Sequence, residues 1–183
     1  MSFFSRFVQH SVKGQKNFER ARSAEEREEY AKAKEFFELS VDAYDHYLAQ
    51  QRDKGKQPFP SHLVMAGIGY VRLGRNEDAL SVLDECIRRK EIPDAYLHAG
   101  YAAAKLGRKD SAIAYWEAYP AWVEQPVIHE ALREVLNSLR QDQSSLDDAC
   151  LVMAQAIHRQ DKDNAKLRKG TPDQHTIPAN RGY

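Results

Sequence analysis

Apolar and polar positions alternate with a helical period along most of the chain. At 100° per residue, Leu63, Ala66, Gly67, Tyr70 and Gly74 fall on one stripe, and Tyr96, Ala99, Gly100, Ala103 and Gly107 on a matching one. Further upstream, Tyr30, Ala33, Phe37, Val41, Tyr44 and Leu48 run in phase, which predicts one long helix ending before Asp53, where Gly55, Pro58 and Pro60 forbid continuation. Ser23 followed by Glu26 reads as a capping box and places the start of that helix near Ala24. An earlier amphipathic helix over residues 2–21 carries Phe4, Phe7, Val8, Ser11, Val12, Gln15 and Phe18 on one side, with Gly14 as a weak point. Its phenylalanines either pack on the next helix or lie on an anionic membrane surface. Downstream, Ile128, Leu132, Val135, Leu136 and Leu139 face Leu146, Ala149, Met153 and Ile157 in a last helix pair over 126–140 and 145–159. The pattern predicts an all-α chain of about eight helices. From about residue 160 the period stops, and residues 161–183 are expected to form a flexible tail.

Two central stretches are near-copies. Ala66-Gly67-Ile68-Gly69-Tyr70-Val71-Arg72-Leu73-Gly74-Arg75 is answered by Ala99-Gly100-Tyr101-Ala102-Ala103-Ala104-Lys105-Leu106-Gly107-Arg108, with Gly67, Gly74, Arg75 and Ala79 each 33 residues before Gly100, Gly107, Arg108 and Ala112. A fixed period of this size marks stacked helix pairs that bury their apolar faces against their neighbours. A mid-helix glycine costs about 1 kcal/mol against alanine, so its repetition predicts close approach of a partner helix. Gly74 and Gly107 are expected to end their helices, with Asn76 and Asp110 capping the next ones.

These residues resemble the tetratricopeptide repeat family: Gly67, Tyr70, Gly74 and Ala79 match its pattern in one unit, and Tyr96, Gly100, Gly107, Ala112 and Trp116 in the next. Ala103 stands where the family has an aromatic, and the late proline is missing or shifted to Pro93. The resemblance implies a right-handed solenoid of antiparallel helix hairpins within one domain over residues 1–160. Clear repeats cover 61–90 and 93–119; a degenerate N-terminal hairpin covers 1–57 and a stretched last unit 126–160. Size and layout are also similar to those of small cytosolic chaperones of bacterial secretion translocators.

Charge narrows the function. Lys plus Arg and Asp plus Glu both number 27, so the basic excess of a general nucleic-acid binder is missing, and nucleic acid is not an expected partner. No apolar run is long enough to span a membrane, and Arg6 and His10 interrupt the start before a signal-peptide core forms. Cys86 and Cys150 sit among apolar helix positions and read as reduced core residues of a cytoplasmic protein.

Chemistry is sparse. His129-Glu130 opens like a zinc-protease helix, but Arg133 stands where the second histidine is required. Asp42 with His46 and Asp94 with His98 share helix faces, yet no third ligand has recognisable spacing. No enzyme, metal or cofactor is expected.

What stands out is a surface. Residues 63–71 and 95–104 hold no charged residue, so both helices carry a second apolar face. The resemblance implies that this face lines a concave groove for a protein or peptide, with Val64, Ile68, Val71, Leu97, Tyr101 and Ala104 as floor and Arg72 and Lys105 as cationic edges. The same face would be core if the long second helix or the tail covered it. The expected function is non-catalytic protein binding, as adaptor or chaperone; the alternative is an assembly subunit that self-associates or joins a larger complex through that strip, with a membrane surface as one place for it.

Overall fold

A computed structural model describes residues 9–170. Among the described residues the chain is all-α, with α1 His10–Glu26, α2 Tyr30–Asp53, α3 Pro60–Arg72, α4 Asn76–Arg89, α5 Pro93–Lys105, α6 Lys109–Glu117, α7 Pro126–Arg140 and α8 Leu146–Gly170. Consecutive helices pack as hairpins, α1 with α2, α3 with α4, α5 with α6 and α7 with α8, and each hairpin leans on the next. Pro60, Pro93 and Pro126 each occupy a first helical turn, where the missing N–H leaves no bond unmade.

One turn joins the two helices of every hairpin. At the end of α3 the Gly74 N–H donates to Val71 and the Arg75 N–H to Tyr70, with Gly74 at φ 74°. The same pair of bonds closes α5 around Gly107 (φ 73°), α1 around Glu28 (φ 61°) and α7 around Asp142 (φ 53°). This is the Schellman closure, whose left-handed residue glycine adopts without strain. Five residues after it, Ala33, Ala79 and Ala112 begin the buried side of the returning helix, and Ala149 does so seven residues after. The sequence period is therefore a repeated turn with a small residue at a fixed distance behind it.

Glycines make room inside the hairpins. A Cβ on Gly67 would stand 2.5 Å from the Leu83 side chain, and one on Gly100 2.3 Å from the Trp116 indole. Leu83 and Trp116 are themselves fully buried and 33 residues apart, so each repeat locks a large α4 or α6 side chain onto a bare patch of α3 or α5. The Trp116 Nε1–H donates to the Leu97 carbonyl at 3.1 Å, which fixes the indole in place.

Several expected boundaries move. The helix from Ser23 does not start there: α1 runs on to Glu26, and the Ser23 hydroxyl accepts from Arg27 Nη1 at 2.9 Å instead of capping. The local Arg27-Glu28-Glu29 turn outcompetes the capping box because it satisfies two helix-end carbonyls at once. Gly14 is a contact point, lying under the Tyr44 ring, and Val12 and Gln15 face solvent while Asn17, Ala21 and Ala24 face inward. Arg75 and Arg108, rather than Asn76 and Asp110, occupy the caps of α4 and α6, without a side-chain cap bond. The α8 helix continues to Gly170, ten residues past the expected boundary; residues 161–169 lack an apolar stripe but are rich in good helix formers. Phe3, Phe4, Phe7 and Val8 lie outside the described residues, as do residues 171–183 of the expected tail.

The core comes in two blocks. One gathers α1 to α4 with Ile92, Ala95, Ala99 and Ala102; the other gathers Leu97, Ala103 and Ala104 with α6 to α8. They meet along α5, whose two sides belong to different blocks. Half-buried Leu80, Tyr101 and Tyr115 touch both.

Candidate functional site: the mouth between the two ends of the stack

The second apolar face of α3 and α5 is largely core. Val64, Ile68, Val71, Leu97 and Ala104 are all buried. Val64, Ile68 and Val71 join Phe37, Tyr44 and Tyr47 in the first block, and Leu97 and Ala104 join Ala149, Cys150 and Met153 in the second. The expected open trough is corrected accordingly: α1 and α2 lie against α3, and α8 lies against α5, because charge-free helices bury every face they can. Lys105 sits outside, its ammonium donating to Asp147 at 2.7 Å and standing 5.9 Å from the Tyr101 ring centroid.

Tyr101 and Arg72 keep an opening. Together with Arg22, Glu25 and Glu26 of α1, Tyr30 at the start of α2, and Ala154, Gln155, Ile157, His158, Asp161 and Lys162 of α8, they surround a cavity of about 390 Å³. That size lies at the low end of pockets that take a ligand or an anchoring side chain. Tyr101, Tyr30, Ala154 and Ile157 supply the apolar surface, and the charges form the rim.

The rim is an ion-pair chain that joins three helices. Arg72 Nε donates to Glu25 Oε1 at 2.7 Å, Arg22 Nη1 donates to Glu25 Oε2 at 2.6 Å, and Arg22 Nη2 donates to Asp161 Oδ2. The Arg22 and Asp161 side chains are only 18% and 11% exposed, so this link is shielded from screening. A second, exposed link runs beside it from Lys162 to Glu28 at 2.6 Å, and it holds the Glu28 carboxyl below and the Lys162 ammonium above their ordinary pKa values. Among the described residues no group accepts from the two Nη atoms of Arg72. A planar donor pair is thus left at the cavity, suited to a carbonyl or carboxylate.

Residue spacing pointed to Arg72 and Tyr101 but not to Arg22, Glu25 or Asp161. The Arg22 and Glu25 pair was readable as an i,i+3 contact, whereas Asp161 lies 139 residues from Arg22 and gave no local signal.

The other candidate groups lie outside the cavity lining. Asp42 and His46 meet at 3.7 Å on an exposed face, and His10 stacks beside His46 at 5.1 Å. His129 Nε2 lies 2.8 Å from the Val123 carbonyl, part of the loop before α7. Among the described residues no three His, Cys, Asp or Glu side chains are grouped to hold a metal ion. Both cysteines are free and buried, and burial pushes each thiol up to about 11, well away from thiolate reactivity. No helix among the described residues is long and apolar enough to cross a membrane.

Residues 94–120 match the family model of the tetratricopeptide repeat, which covers α5, its glycine turn and α6. No curated protein and no solved structure matches the chain. Repeats of this kind serve protein–protein interaction, through surfaces built across neighbouring units. With four hairpins closed by one kind of turn, and the family's own signature on the third, the chain is a tetratricopeptide-like helical repeat protein.

Proposed function

We propose that the chain is a protein-binding adaptor or chaperone whose cavity receives one large apolar side chain of a partner segment. Tyr101 and Ile157 contact that anchor, and the Arg72 Nη pair holds a carbonyl or carboxylate next to it. The observation that carries this reading is the cavity itself: about 390 Å³ of space whose lining surface is mainly apolar, set between α1, α3, α5 and α8. Anchors set in desolvated pockets dominate the affinity of protein interfaces, so one such site suffices for recognition.

A photo-crosslinking residue at Tyr101, compared with one at exposed Arg88 on α4, tests it. Adducts to one defined protein from position 101 alone are expected, and Arg72→Ala should weaken that partner's binding about tenfold. Equal labelling from both positions would overturn the reading. Adducts joining two copies of the chain would replace it by self-assembly.

A further inference from the structure

We infer that the cavity is gated by an ionic latch between α1 and α8, the two ends of the described stack. This rests on the cavity being the binding site only for its consequence; the latch itself follows from how the ends are joined. The α1 helix belongs to the first apolar block and α8 to the second, and no buried apolar residue is common to both blocks. Across the mouth the links are Arg22 to Asp161 and Glu28 to Lys162. Opening the mouth therefore separates no buried apolar residues shared by α1 and α8 and, among the described residues, breaks these two ion pairs. One is half-buried and one is exposed and screened by salt.

The composition of α8 fits a moving part. Ala149, Met153, Ala156 and Ile157 hold its first half in the second block. Beyond them Gln160 is the one deeply buried residue up to Leu167, and its amide oxygen accepts from the Val127 N–H at 3.2 Å. The residues facing the cavity from α8, from Ala154 and Ile157 to Asp161 and Lys162, straddle this change from apolar to polar. A helix anchored at one end and held by charges at the other bends or frays at the charged end first. In the closed state the latch narrows access to Tyr101 and occupies Glu25 and Arg22; a partner bearing charges of its own competes for them.

Spin labels at Glu26→Cys on α1 and Lys166→Cys on α8 read the mouth directly, since the native thiols are buried and resist labelling. Pulsed dipolar distances should show one narrow short population in the otherwise unaltered protein. Glu28→Lys, which sets two cations against each other, should shift part of it to longer distances, as should Asp161→Asn. Glu28→Lys with Lys162→Glu should restore the short population, which a merely destabilised fold would not do. Raising salt on the Glu28→Lys protein should bring its distances back toward the short population. Distances unchanged in both single variants would overturn the latch. An opened mouth whose position 101 crosslinks no better than Arg88 would leave the latch standing and sink the binding site.

Discussion

The inner hairpins, α3/α4 and α5/α6, and the outer ones, α1/α2 and α7/α8, reach the same shape by different chemistry. Seven residues before the left-handed turn residue the inner pair has Gly67 and Gly100, whereas the outer pair has Ala21 and Val135. On the returning helix Leu83 and Trp116 correspond to Phe37 and Met153. The turn residue is glycine inside and an acid outside, Glu28 and Asp142, each paired with a lysine on another helix. Volume can be moved between facing helices, and a turn can be strained, so long as the backbone geometry recurs. Repeat identity is thus held by the turn and by the small residue behind it more than by any one contact.

The largest test removes the inner lock. Gly100→Leu forces a side chain into the Trp116 indole, which its bond to Leu97 prevents from retreating, and should destabilise by about 3 kcal/mol. Gly67→Leu meets the branched end of Leu83, which can rotate, and should lose nearer to about 1 kcal/mol. Urea denaturation of the two variants checks the difference. Equal losses would mean that the two repeats are not distinguished by the rigidity of the partner side chain.

Most of the fold was legible in the sequence because its causes are local. The 33-residue offset, Gly74 and Gly107 at the turns, Pro93 at a helix start and the stripes of α2, α7 and α8 each depend on residues a few positions apart. The helix boundary at Ser23 was misplaced because two local signals competed there and a left-handed glutamate has no sequence mark. Of the residues that line the cavity, only Arg72 and Tyr101 were singled out by the sequence as groove residues. Whether an apolar face is groove or core depends on which distant helix returns to cover it, and nothing near Val64 or Leu97 encodes that α1, α2 and α8 do so.

A smaller effect sits at the seam between the first outer hairpin and the first inner one. His62 of α3 lies among Tyr47 (5.0 Å between ring centroids), Phe59 (5.8 Å) and Tyr44 (6.0 Å), and its buried Nδ1 has no hydrogen-bond partner among the described residues. Burial lowers its pKa from the ordinary 6.5, so the unfolded chain takes up the proton first. The stabilisation of the neutral ring is complete above 6.5 and is lost as pH falls through the lower folded value. The denaturation midpoint should accordingly drop between about pH 7.5 and about pH 5, and His62→Phe should remove part of that slope. An unchanged slope would place the proton uptake at other histidines.

The smallest effect converts an outer turn into an inner one. Asp142 holds a left-handed conformation that costs a non-glycine residue about 1 kcal/mol or more, so Asp142→Gly should gain about 1 kcal/mol less a few tenths for its exposed pair with Lys109. Melting temperature, rising by a few degrees, reads it. Glu28→Gly relieves the same strain but also removes one of the two links to α8. It should raise stability less than Asp142→Gly while loosening the mouth, so the two glycine variants separate turn energetics from closure. If both variants gain equally and the α1 to α8 distance stays short in both, the acid at position 28 contributes nothing beyond what any left-handed residue would, and the outer hairpins differ from the inner ones in strain alone.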